Sequence, residues 1–157
     1  MPVKRSEALQ PLSRQHHNGL LFCLVLNKGI AKAASLKVMK DFCLHFLQQD
    51  LSHHFMLEEA HLHVLPLSFP SLKNGIERMM NEHAVLRQLF ANIEENASYD
   101  LMKQLAVTLE KHIRFEEREL FNNIDMVLDA NTFKTLQSVL QEEKDDNCMN
   151  YPIKFWL

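Results

Sequence analysis

The chain has 157 residues, 46% of them apolar and three of them glycine, enough for one largely helical domain with a sizeable core. A net charge of −3 and an isoelectric point near 6.3 leave no basic footprint for nucleic acid. Cys23, Cys43 and Cys148 are odd in number and far apart, which excludes a disulfide framework or a CxxC knuckle and favours a reducing compartment.

Helical periodicity dominates, with no useful stretch of strand alternation. Residues 1–12 read as an arm, because Pro2 and Pro11 oppose regular helix. Ser13 is placed to cap a first helix running to about Lys28, where Gly29 can end it. The apolar run Leu20 to Leu26 falls far short of the roughly 20 residues that a membrane span needs. The polar residues between that run and Lys4–Arg5 make a poor signal peptide, so no membrane is expected and the expected location is cytoplasmic. Ser35 caps a long second helix reaching about Val64, stopped before Pro66. The segment PLSFPS, 66–71, reads as a loop.

A third helix is predicted from about Gly75 to Glu95, and Ser98 caps a fourth from Tyr99 to about Leu128. Asn131 caps a shorter fifth from Thr132 to Glu143. The tail KDDNCMNYPIKFWL starts polar and ends apolar, so its last residues are expected to dock on the helices. The predicted architecture is all-α: an up-down-up-down four-helix bundle over about 13–128, with a short C-terminal fifth helix and tail over about 131–157 of one domain.

One phrase occurs twice on this frame. Residues 54–65 read HFMLEEAHLHVL and residues 112–123 read HIRFEERELFNN. Each opens on a histidine and places glutamates four and five residues later: His54, Glu58, Glu59 and His112, Glu116, Glu117. Positions i and i+4 share a helix face about 6 Å apart along the axis. The first helix adds His16 and His17, and the third adds His83. Each half of the chain therefore holds a lone histidine followed by a His–Glu pair, a pseudo-twofold kit for two adjacent metal ions. Imidazole with carboxylate suits borderline first-row ions, iron first among them. Two glutamates partly offset two divalent ions, with oxo, hydroxo or water supplying the rest.

A single HxxxE on a helix is usually a surface pair; two copies on apolar stripes, each preceded by a helix with a lone histidine, make a case for metal. His83 shares a face with Ile76, Met79, Met80, Leu86 and Phe90, and His112 follows Leu105 and Leu109 on theirs. The helix-1 ligand is ambiguous. His16 lies on the stripe of Leu12, Leu20 and Cys23, while His17 relates to Leu20, Leu21 and Leu24, and the choice leans slightly to His17. Glu59 and Glu117 read as partners of the ligands or as replacements for their neighbours. His61 is a weaker neighbour at the end of the helix, and His53 points outward. A ferritin-like centre needs two ExxH motifs; Glu58–His61 is one, but Glu119 stands where the second histidine would be.

The segments LSRQHHNGLL, HFMLEE, NEHAVLRQL and LEKHIRFEERELF resemble the hemerythrin-like, or HHE cation-binding, family over roughly residues 13–125. The resemblance implies a four-helix bundle holding a non-haem di-iron centre on His16 or His17, His54, Glu58, His83, His112 and Glu116 or Glu117. Oxygen-carrying members of the family have a further histidine four residues after the one on helix 3, where this chain has Arg87. Glu117 has the oxygen-carrier spacing, whereas Glu116 repeats the spacing of helix 2. The chain thus resembles a more symmetric, glutamate-rich subgroup.

The first functional expectation is two non-haem irons reacting with or sensing dioxygen or another small diatomic or oxidant, or handling iron. The alternatives are a di-iron oxidase or peroxidase, and a helical module in which metal is structural and a protein partner docks on helix 5 and the tail.

Overall fold

A computed structural model of the chain describes residues 5–141 and 150–157. Among the described residues there are five helices and no strand. Helix α1 is Gln10–Ala31. Helix α2 runs as Leu36–Phe46, a π-helical turn Leu47–Leu51, and Ser52–His61. Helix α3 is Lys73–Glu95. Helix α4 runs as Tyr99–Phe115, a π-helical turn Glu116–Leu120, and Phe121–Val127. Helix α5 is Ala130–Val139.

The caps follow side-chain chemistry. Ser35 accepts from the amide of Val38, and Ser98 from that of Leu101, as their positions predict. For α5 the cap is Asp129, bonded to the amide of Thr132, rather than Asn131. The predicted end of this helix at Glu143, together with Lys4 and Cys148, lies outside the described residues.

Both predicted bounds of α1 need correction. The helix starts at Gln10, ahead of Ser13, because Pro11 falls in the first turn, where its missing N–H costs nothing. It also continues through Gly29, and the left-handed residue that turns the chain is Ala33, with φ 50°. Gly29 answers to close approach instead. A Cβ there would lie 2.7 Å from the Phe155 ring and 2.9 Å from the Met39 methyl. The predicted end of α2 at Val64 is also moved. The regular helix stops at His61, and short 3-10 turns at Leu65–Leu67 and Pro70–Leu72 carry the chain to α3.

Each of the four long helices packs on two others, in the ring α1–α2–α3–α4–α1. The buried apolar residues form two clusters rather than one. The first contains Phe22, Phe42, Phe46, Phe55, Leu86, Phe90, Leu105, Leu109 and Trp156. The second contains Leu9, Leu12, Leu62, Ile76, Met79, Leu120, Phe121 and Leu136. Buried polar residues separate them on every long helix: His16, then His54 and Glu58, then His83, then His112 and Glu116.

The order along the chain alternates. Helices α1 and α3 run from the second cluster past their histidine to the first, and α2 and α4 run the other way. Gly19 sits where α1 meets α4, and a Cβ on it would lie 2.7 Å from Ile113 Cδ1. The tail docks as expected: Trp156 is buried in the first cluster, with Phe155 and Tyr151 edge-on to the Phe42 ring. No described helix is long and apolar enough to cross a membrane.

Candidate metal centre

Six buried side chains meet in the polar layer between the two clusters. They form two sets, His16, His54, Glu58, Glu116 and Glu58, His83, His112, Glu116, whose donor atoms lie within 4.8 Å of one another in each set. The sets share both glutamates. His16 Nε2 lies 2.9 Å from Glu116 Oε1 and 3.8 Å from Glu58 Oε2. His112 Nε2 is 3.1 Å from Glu116 Oε1, and His54 and His83 Nε2 are 3.2 and 3.1 Å from Glu58 Oε1. The rings pair across the layer, His16 with His54 at 4.7 Å and His83 with His112 at 4.9 Å.

These donors are poorly satisfied by one another. The Nε2 atoms of His54, His83 and His112, both oxygens of Glu58, and Oε2 of Glu116 are buried without a hydrogen-bond partner. Each such orphan costs about 1–3 kcal/mol, and so many aimed at one point fit a cation that would take them all up.

Charge is divided unevenly among these side chains. Burial, reinforced by the neighbouring Glu116, raises the carboxyl of Glu58 well above its usual range. Burial would raise Glu116 also, but His112 and His16 outweigh it and hold Glu116 well below that range. Burial lowers the imidazoles in turn. It prevails at His83, pushed down to about 4, and at His54, held well below its ordinary value. At His112 the Glu116 and Glu82 carboxylates overcome it and push the group up to about 9. At His16 the bonds to Glu116 and Glu117 likewise outweigh burial and raise the group.

A ring of outer partners holds the histidines by their other nitrogen. His54 Nδ1 donates to Gln15 Oε1 at 2.6 Å, His83 Nδ1 to Glu59 Oε2 at 2.7 Å, and His112 Nδ1 to Glu82 Oε1 at 2.7 Å. His16 Nδ1 lies 3.5 Å from Glu117 Oε2. Each helix thus supports the histidine of the next helix round the ring, and each support is the sequence neighbour of a residue in the two sets. Such partners fix the tautomer so that Nε2 faces inward. Arginines brace three of them: Arg87 on Glu59, Arg78 on Glu82 and Arg5 near Glu117. Phe55 stacks on His83 at 3.9 Å and Phe121 on His16 at 5.2 Å, sealing two rings with apolar surface.

Not every candidate joins the sets. His17, toward which the spacing leans, is exposed and belongs to neither set, whereas His16 is buried in the first. Leu24, which favoured His17, is itself 49% exposed, while Leu12 and Cys23 on the stripe of His16 are buried. Glu117 lies outside both sets and accepts from Ser13 Oγ at 2.9 Å. Glu59 serves His83 and Arg87, and His61 belongs to neither set.

Sequence reasoning missed Gln15, Glu82, Arg5 and Arg78. The available signal was positional: Gln15 and Glu82 directly precede His16 and His83, as Glu59 and Glu117 directly follow Glu58 and Glu116. It also missed the two π turns, which fall on the two helices carrying the repeated phrase, and such turns gather at functional sites.

The family profile described as hemerythrin HHE cation binding domain matches residues 8–124. No curated protein and no solved structure matches the chain. With well over half its length matched and two buried His/Glu sets able to hold metal, the chain belongs to the hemerythrin HHE cation-binding family.

Proposed function

We propose that this protein is a non-haem di-iron protein that reacts with or senses dioxygen or a related small oxidant, or handles iron. The observation that carries the reading is the inward aim of six buried donors, four imidazole and two carboxylate, in two sets sharing Glu58 and Glu116. In this reading His16 and His54 hold one ion, His83 and His112 hold the other, and Glu58 and Glu116 serve both. The donor chemistry favours iron over softer or harder ions.

The frame is an up-down-up-down four-helix bundle. The ring of helix contacts supports this, as does the alternating order in which the long helices meet the two apolar clusters.

When bound, an iron pair would supply redox change. The protein's own residues do the rest. Glu58 and Glu116, both fully buried, would offset cationic charge there. Gln15, Glu59, Glu82 and Glu117 orient the rings. A cleft of about 980 Å³ lined by Gln15, His16, His54 and His112 gives a small molecule a way in. The reading takes the reducing cytoplasm as its setting; Cys23 and Cys43, buried and in no disulfide, support it.

The test is metal content per chain after anaerobic purification from iron-replete cells, followed by exposure to oxygen. About two irons per chain and new visible charge-transfer bands on oxidation are expected. One zinc per chain, or a folded protein with no metal, would overturn the reading.

A further inference from the structure

The two half-sites are built alike but supported differently. In the half-site of His83 and His112, both Nδ1 atoms lie 2.7 Å from a carboxylate oxygen, on Glu59 and Glu82. In the half-site of His16 and His54, the support of His54 is the neutral amide of Gln15. Gln15 stands before His16 as Glu82 stands before His83, so it occupies the pseudo-twofold place of a carboxylate.

The support of His16 is also loose, at 3.5 Å, because Glu117 Oε2 accepts from Ser13 Oγ at 2.9 Å and has the Arg5 guanidinium 3.8 Å away. The arginines bear differently on the two halves. Arg5 has a side chain only 12% exposed, so its pull on Glu117 is little screened. Arg78 and Arg87 are about half exposed, and water weakens their pull on Glu82 and Glu59. A carboxylate on Nδ1–H makes the imidazole a stronger donor, and losing such a partner typically costs 10–100-fold in metal affinity. The cleft touches the two half-sites unequally: both His16 and His54 are in its walls, but only His112 of the other pair.

We propose that Gln15, as the positioning residue of His54, makes the two half-sites unequal, so that the half-site of His83 and His112 loads first and that of His16 and His54 loads second and releases first. This rests on the two-metal reading above and deepens it. The ion at His16 and His54 becomes the exchangeable one, bordering the cleft; the other is the anchored one.

The experiment titrates metal-free full-length protein with Co²⁺ by calorimetry and visible absorption, in the wild type, Gln15→Glu and Gln88→Glu. Gln88→Glu adds the same charge on an exposed face of α3. Two steps separated by about 10–100-fold are expected in the wild type. Gln15→Glu should bring them within a few-fold by tightening the second, and Gln88→Glu should leave them apart. Anomalous diffraction after one equivalent of Co²⁺ should place the ion between His83 and His112. If Gln15→Glu does not fold, Glu82→Gln should narrow the gap from the other side, by weakening the first step. Two ions bound with one affinity would overturn the inference and leave the two-metal reading standing, as would a first ion at His16 and His54 or a gap that neither variant moves. Failure to bind any ion would overturn both.

Discussion

His16 Nε2 on α1 lies 2.9 Å from Glu116 Oε1 on α4, joining residues 100 apart in sequence inside the buried polar layer. Its neighbour His17 faces solvent. Successive helical residues are rotated by about 100°, so only one of the pair can look inward. His16→Ala is expected to lose at least one of the two metal ions, and His17→Ala to retain both. Metal analysis on the two purified variants, with far-ultraviolet circular dichroism to confirm folding, checks this. Equal metal content in both would remove His16 from the centre.

The outer partners carry a second expectation. Glu82→Gln keeps the shape of the side chain but replaces the carboxylate facing His112 Nδ1. Metal affinity should fall by about 10–100-fold, measured by competition with a chelator. Glu119→Gln, on an exposed carboxylate that also reaches Arg78, should leave it unchanged.

Metal binding should release protons. The carboxyl of Glu58 is raised by burial beside Glu116, and, against the pull of burial, Glu116 and Glu82 push His112 up to about 9. At pH 7 His112 therefore holds a proton, the raised carboxyl of Glu58 favours its protonated form, and both must be deprotonated to serve as ligands. Affinity should then rise with pH and level off only above about 9. Calorimetry in two buffers of different ionisation enthalpy should find a net release of protons on full loading. An affinity flat between pH 6 and 9 would contradict this protonation pattern.

The docked tail gives a fourth. Gly29 on α1 passes directly beneath Phe155, and a methyl group there overlaps the ring. Gly29→Ala should displace the tail and cost about 1–3 kcal/mol. Trp156, the chain's one tryptophan, is buried and should report the change as a red shift of its emission. His16 lies 13 residues up the same helix, about 20 Å away, so metal content should not change. Loss of metal without a shift in emission would show that Gly29 serves the centre instead.

The amino-acid sequence by itself determined the helices and the kit of donors. Apolar residues recur at helical spacing through all four long helices, and a local period needs no knowledge of neighbours. The four-residue step from His54 to Glu58 and from His112 to Glu116 is likewise local, so a shared face follows from helix geometry alone. The limits of α1 were misread because Pro11 and Gly29 have two meanings each. Proline fits a first turn as well as an arm, and glycine marks close packing as well as a helix end.

What only the tertiary structure decided is rotation and neighbourhood. Whether His16 or His17 faces inward depends on how α1 is turned against α4, and the π turns in α2 and α4 alter the rotation of the chain that follows them. The support of His54 by Gln15, of His83 by Glu59 and of His112 by Glu82 joins different helices in each case. No spacing along one helix encodes which side chain of another will meet it, because that contact exists only once the apolar clusters have drawn the helices together.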